Sequence, residues 1–192
     1  MANRDQSGPM RFACADPPYL GQCGRYDHDH RGILNRQPVS WEPVCWDDLR
    51  THELLIRRLS TVYPDGWALS ASAPSLKQLL PLCPDDVRIA AWVKPFAAFK
   101  RNVRNAYTWE PVILRGGRLS SKDGAPVTRD HWTDPEALRE SITMKKGLTG
   151  VKPAAFNEWV LKMLGFMGSD QMDDLFPGKG GMALALEIAN VG

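Results

Sequence analysis

Arg11-Phe12-Ala13-Cys14-Ala15-Asp16-Pro17-Pro18-Tyr19 is a short apolar run stopped by an acid and two prolines. Proline cannot donate to a sheet ladder, so the stretch predicts a strand over 11–15 and a stiff turn behind it. A polar, glycine-bearing loop extends to about Pro43. Residues 47–63 then carry Leu49, Leu54, Leu55, Ile56, Leu59 and Val62 at helical spacing and stop before Pro64. Further strands are expected at 67–72, 87–93, 109–114 and 172–176, and a short helix at 74–80. Pro111 suggests an edge or a bulge for the strand that holds it. Pro153 and Gly165 bracket a helix with Phe156, Trp159, Val160, Met163 and Leu164 on its apolar face. A last apolar helix is expected over 182–189, and residues 119–150 read as a mobile loop. Strands alternating with helices predict an α/β domain with a doubly wound, mostly parallel sheet, a single domain over 1–192. Ligands of such sheets sit beyond the carboxyl ends of the strands. Asp16 to Tyr19 and the glycines at 178–181 should therefore open on the same side.

The composition fits one soluble globular unit: 192 residues, 43% hydrophobic, 24% charged. No apolar run approaches the roughly 20 residues that span a bilayer, and Met1 to Met10 lack the apolar stretch of a signal peptide. A cytoplasmic protein without a membrane partner is expected. Cys14, Cys23, Cys45 and Cys83 show no CxxC spacing and read as free thiols. Cys23, His28, His30 and Cys45 are zinc-type ligands, but their spacing matches no common structural site, so no metal is expected. Net charge is only +2, yet Lys94, Lys100, Arg101, Arg104, Arg115, Arg118 and Lys122 are opposed over that stretch by Glu110 alone. Such a cluster is either a solvated face or a phosphate-binding one. Phe96, Phe99, Tyr107 and Trp109 interleave with it, which favours a polynucleotide.

Asp16-Pro17-Pro18-Tyr19 has a specific chemical use. An aromatic amine is a poor nucleophile because its lone pair is delocalised into the ring. Two acceptors, the Asp16 carboxylate and the Pro17 carbonyl, can hold its two N–H groups and draw the nitrogen toward tetrahedral geometry. Pro17 and Pro18 fix the backbone that presents them. Tyr19 offers a flat face for an extruded base. The bland alternative is a strand-terminating turn. Downstream, Asp173-Asp174-Leu175-Phe176-Pro177-Gly178-Lys179-Gly180-Gly181 places glycines between a strand and a helix, where backbone can approach a ligand closely. It is not a P-loop, since no Gly-Lys-Ser/Thr closes the required spacing. A sulfonium ligand needs an apolar wall and a carboxylate, and Phe176 and Asp174 meet that need. Tight strand–helix packing is the competing explanation.

Together the two motifs resemble those of the amino-methyltransferases, which methylate adenine N6 or cytosine N4. Asp16 to Tyr19 matches their [D/N/S]-P-P-[Y/F/W] motif, and Asp174 to Gly180 their D-x-F-x-G-x-G loop. The catalytic motif comes first and the cofactor loop last, a circularly permuted order similar to that of the β-type DNA enzymes. Lys152-Pro153 looks like the Lys-Pro that opens the helix before the loop in that family. Ala91-Trp92-Val93-Lys94 and Trp109-Glu110-Pro111-Val112-Ile113 resemble the middle of RNA adenosine N6-methyltransferases and small phage-type DNA methylases. The resemblance runs from about residue 11 to 190. It implies a Rossmann-like methyltransferase domain using S-adenosylmethionine, without metal or covalent nucleophile. Asp16, Pro17, Pro18 and Tyr19 would hold the target amine. Phe176, Gly178 and Gly180 would line the cofactor, Asp174 would sit near its amino group, and Lys152 would face its carboxylate. Lys94, Lys100, Arg101, Arg104, Arg115 and Arg118 would meet DNA, or RNA, as part of a contacting insert and loop over 95–150.

Two departures stand out. Enzymes of this arrangement usually continue into a strand whose acidic end holds the cofactor ribose, whereas this sequence stops at Gly192. No segment has the size of a usual target-recognition domain, so the 94–122 stretch, a homodimer mate or a second subunit must supply that contact. The reading to test is methylation of adenine N6 in DNA. Cytosine N4, RNA, or a non-catalytic nucleic-acid-binding subunit of the same fold are its alternatives.

Overall fold

The computed structural model describes residues 8–22, 45–94, 104–105, 107–119, 127–133, 152–178 and 180–191. Six strands, β1 Arg11–Ala15, β2 Gly66–Ser70, β3 Arg88–Val93, β4 Trp109–Gly116, β5 His131–Thr133 and β6 Gln171–Asp174, form one sheet in the order β5-β3-β4-β2-β1-β6. β1 pairs parallel with β2 and β6, and β3 parallel with β5. β4 alone runs antiparallel, between β2 and β3. The described α-helices are α1 Leu49–Val62, α2 Leu76–Leu79, α3 Ala154–Leu164 and α4 Gly181–Val191, with single 3-10 turns at Ala73–Ser75 and Leu80–Leu82 on either side of α2. The α/β class and the mostly parallel sheet follow the alternation in the sequence.

Side chains alternate across the strands, and each face takes its own helices. Phe12, Cys14, Ala68, Ala90, Trp92 and Val112 pack against Phe156, Trp159, Val160, Leu161 and Leu164 of α3 and Met182 and Ala185 of α4. Ala13, Ala15, Trp67, Leu69 and Ile113 face the other way, onto Leu55, Ile56, Leu59, Tyr63 and Leu79. The sheet is thus doubly wound. α1 starts where the Asp48 side chain accepts a hydrogen bond from Arg50 N at 2.9 Å. It buries His52, Leu55, Ile56 and Leu59, one stripe at helical spacing. α3 ends at Gly165, whose φ of 65° is the left-handed cap that glycine adopts without strain.

Two expectations change. Residues 131–133, read as part of a mobile loop, form edge strand β5, with Ala91 N donating to Asp130 O at 2.8 Å. Pro111 lies at neither an edge nor a bulge, but in the interior strand β4, in regular register with Ala91. Ala91 turns its N–H toward β5, so the Ala91–Pro111 pair exchanges no ladder bond. On its other side Pro111 lies one position beyond the last β2–β4 pair, Ser70 with Val112, and its carbonyl accepts from Ala71 N at 3.0 Å. The missing N–H therefore forfeits one bond, to Ala71 at the end of the β2–β4 ladder, and none within it.

Beyond β4, Arg118 closes a buried ion pair with Asp170 at 2.6 Å, its side chain 10% exposed and that of Asp170 0%. Asp170 also accepts from Met10 N at 2.8 Å and Met167 N at 2.7 Å, fixing the entries to β1 and β6. Arg118→Ala would leave this carboxylate buried without a counter-charge. It should lose about 3–5 kcal/mol of folding stability by denaturant titration. A loss below about 1 kcal/mol, the scale of an exposed pair, would contradict this account.

Candidate active site at the carboxyl edge of the sheet

β1, β2, β3 and β6 all end at one edge of the sheet, and antiparallel β4 begins there. Asp16 follows β1, Lys94 follows β3, Asp174 ends β6, and Glu110 is the second residue of β4. Lys152 reaches them from just before α3, where Pro153 caps the helix.

These side chains form one network. Lys152 Nζ donates to Asp16 Oδ1 at 3.1 Å and to the Tyr19 hydroxyl at 2.9 Å, and lies 3.4 Å from Glu110 Oε2. The Tyr19 hydroxyl donates to Glu110 Oε2 at 2.8 Å, and Lys94 Nζ donates to Glu110 Oε1. The Lys152 ammonium stands 5.2 Å from the Tyr19 ring centre, 5.5 Å from Trp92 and 5.8 Å from Phe156, an aromatic surround suited to a cation. Burial works against the Lys152 charge, but Asp16 and Glu110 outweigh it and hold its pKa above the ordinary value. Burial likewise pushes Glu110 up, yet Lys152 and Lys94 bring it down to about 2. Asp16 goes the other way: burial raises its pKa more than Lys152 lowers it. Its side chain keeps 24% exposure, so a ligand at the sheet edge can reach it.

The glycine loop lies beside this network. Leu175 N donates to Cys14 O at 2.9 Å, extending the β1–β6 ladder, and Phe176 N donates to Asp174 Oδ1 at 3.1 Å. Gly178 and Gly180 have φ of 47° and 83°, and a Cβ on Gly180 would meet nothing within 4 Å, leaving room alongside. Gly181 is closed in instead: a Cβ there would stand 2.8 Å from Asn157 Nδ2 and 3.1 Å from Lys152 O. Phe176 meets Trp46 edge-on at 5.2 Å, and Trp46 meets His52 at 5.4 Å, which makes an apolar wall. Asp174 has no ion-pair partner among the described residues. Burial lifts its carboxyl to about 6, and the negative charge of Asp16 adds to the rise.

Asp16, Pro17, Pro18, Tyr19, Asp174, Phe176, Gly178 and Gly180 thus lie along one edge, as expected. Tyr19 is buried, with its hydroxyl tied into the network rather than its whole face presented. Lys152, expected toward a cofactor carboxylate, has its ammonium engaged by Asp16, Tyr19 and Glu110. The basic stretch divides into paired and exposed residues. Arg118 is buried on Asp170, Arg115 Nε pairs with Asp86 at 2.7 Å, and Lys94 is bound to Glu110 and stacked 4.3 Å over Trp92. All three thus carry a charged partner within the fold. Arg104 is exposed, while Lys100, Arg101, Lys122, Phe96 and Phe99 lie outside the described residues. The 95–150 segment is not one insert either, since β4 and β5 within it are sheet strands. Of the zinc-type residues, Cys23, His28 and His30 also lie outside, and Cys45 is exposed. No described helix is long and apolar enough to cross a membrane. Glu110 and Trp46 are the site residues that sequence reasoning missed. Glu110 stood out as the lone acid among basic residues and within the 109–113 resemblance, without a site role, and Trp46 gave no signal.

No family model and no curated protein matches the sequence. Among solved structures the chain is similar to M1.HpyAVI in complex with SAM, at 17% identity and TM-score 0.54, over 96% of this chain and 80% of that one. It is also similar to TTHA0409 of Thermus thermophilus, provisionally assigned as a DNA modification methylase, at 16% identity and TM-score 0.51, with the same coverage of 96% and 80%. The complex of TTHA0409 with S-adenosyl-L-methionine aligns at TM-score 0.50 and 16% identity. The chain therefore has the Rossmann-like fold of these proteins, to which the sequence motifs pointed.

Asp174 gives a test that needs no activity. Its carboxyl holds a proton up to about pH 6 in the folded chain, above its ordinary value of 3.8. Folding is therefore penalised at neutral pH, and the penalty fades as pH falls through that window. Asp174→Asn keeps an acceptor for Phe176 N and removes the ionisation. Its unfolding temperature should exceed that of the wild type near pH 7.5, with the gap narrowing toward about pH 4. A variant less stable than wild type near neutrality would contradict the desolvated carboxylate.

Proposed function

We propose that this protein transfers the methyl group of S-adenosylmethionine to an exocyclic amino group of a nucleic-acid base, with adenine N6 in DNA as substrate. The observation that carries the reading is the pair of carboxylates at the ends of adjacent strands β1 and β6. Cys14, two residues before Asp16, pairs with Asp174, so the two acids face one opening. Asp174, partly buried and without a cationic partner among the described residues, beside Gly180 and the Phe176–Trp46 wall, suits a ligand with a positive charge and an apolar body. S-adenosylmethionine has that character, and when bound it supplies an activated methyl carbon on a sulfonium.

Asp16 and the Pro17 carbonyl accept the two N–H groups of the target amine and turn its lone pair toward the methyl carbon. As the new C–N bond forms and the C–S bond breaks, positive charge moves onto the nitrogen, and the fixed Asp16 carboxylate stabilises it more than the starting amine. The nitrogen then sheds one proton, and Asp16, whose burial raises its proton affinity, stands next to it. Positioning supplies the rest of the rate. Tyr107 and Trp109, 51% and 36% exposed at and just before the start of β4, would offer faces to flanking bases, and exposed Arg104, three residues before Tyr107, would meet a phosphate.

The test is incubation with DNA or RNA and labelled cofactor, followed by digestion and identification of the methylated nucleoside. N6-methyl-2′-deoxyadenosine from the DNA digest is expected. Asp16→Ala should abolish transfer, and Asp16→Asn should slow it about 100-fold with cofactor affinity nearly unchanged. Cofactor binding should weaken as pH falls below about 6, where Asp174 takes up its proton. Full activity in Asp16→Ala, or no cofactor binding by folded protein, would overturn the reading.

A further inference from the structure

The basic stretch holds one acid, and the fold delivers it to the reaction centre. Glu110 uses both oxygens, Oε1 for Lys94 and Oε2 for the Tyr19 hydroxyl and the Lys152 ammonium. It is itself held on two sides, because Lys94 N donates to Thr108 O at 2.7 Å, closing the β3–β4 end, and both lysines lie over the Trp92 ring. Without Glu110, the Lys152 ammonium would have Asp16 as its one carboxylate. It would then settle onto the oxygens that a target amine needs and cancel the charge that the transition state uses.

We propose that Glu110 is a positioning residue, which with Lys94 clamps Lys152 and Tyr19 so that Asp16 stays oriented and available to the acceptor amine. This rests on the methylase reading above. Lys152 faces Asp16 and Tyr19 beyond β1, Glu110 on β4 and, past it, Lys94 beyond β3. Cys14 on β1 also senses its charge, and Asp174 on β6 faces Asp16. Removing Glu110 leaves two ammonium groups with one carboxylate, so Lys152 loses its proton more readily.

The experiment compares the wild type, Glu110→Gln and Glu110→Asp in methyl transfer to DNA across pH, with cofactor affinity measured by calorimetry. Wild-type kcat should stay level from about pH 7 to 9.5, because Lys152 remains charged. Glu110→Gln should lower kcat about tenfold near neutral pH, leave cofactor Kd within about twofold, and show a further fall with rising pH as Lys152 deprotonates. Glu110→Asp should recover part of the rate and move the alkaline fall back up. A Glu110→Gln enzyme with wild-type kcat and a level profile would overturn the proposal. A second measurement does not depend on activity: Glu110→Gln and Lys152→Met should be non-additive in unfolding temperature. Additive shifts would overturn the clamp whatever the activity. Non-additive shifts in a wild type that methylates neither DNA nor RNA would support the clamp and retire the methylase reading instead.

Discussion

β4 running against its neighbours is the constraint on which the site depends. In a sheet with every strand parallel, the edge beyond the carboxyl ends collects only residues that leave strands. Here one strand enters from that edge, and Glu110, near its start, arrives beside Asp16 and Lys94, which leave β1 and β3. α3 then closes over the same edge and brings Lys152 down between the two acids. The packing behind it holds this arrangement: Phe156 of α3 lies on Trp92, whose ring also underlies both lysines, and Trp159 packs on Phe156. Displacing α3 would separate the charges at the same time as it opened the core.

Burying ions is costly unless each finds a partner, and the network meets that condition by near-neutrality. Asp16 and Glu110 face Lys94 and Lys152, with Tyr19 bridging as acceptor from one and donor to another. The Arg118–Asp170 pair applies the same rule elsewhere, where two main-chain amides complete the coordination of the buried carboxylate. One pair fastens the ends of β1 and β6 away from the site, and the other group builds the site. The chemistry is the same and the surroundings differ: Asp170 is sealed, whereas Asp16 keeps access to the sheet edge.

Much of the fold could be read from the sequence, because its signals are local. The prolines that end β1, the apolar stripe of α1 and the Pro153–Gly165 bracket of α3 act within a few residues of where they stand. Asp16 to Tyr19 and the 174–180 loop were recognisable for the same reason. Short β5 has too few residues to show a period, and the tolerance of Pro111 depends on where β2 stops, which no local rule encodes. The basic stretch shows the same limit. Arg118 meets Asp170 at a sequence separation of 52, and Tyr19 meets Glu110 at 91, so their formal charges in the sequence say nothing of whether they are free.

The two site carboxylates show why the surroundings, rather than the residue type, assign roles. Both are aspartates at the ends of adjacent parallel strands, both are partly buried, and desolvation raises the proton affinity of each. Asp16 has an ammonium of the protein beside it, so its charge is already balanced. A second cation would gain little there, while a neutral amine finds an oriented acceptor. Among the described residues Asp174 has the Phe176 amide and no cation, and its carboxyl rises to about 6. An incoming cation would relieve that unbalanced charge, and its binding would drive the acid to ionise. The site is thus divided into a balanced half suited to a neutral acceptor and an unbalanced half suited to a cationic donor. Methyl transfer from a sulfonium to an amine asks for that division.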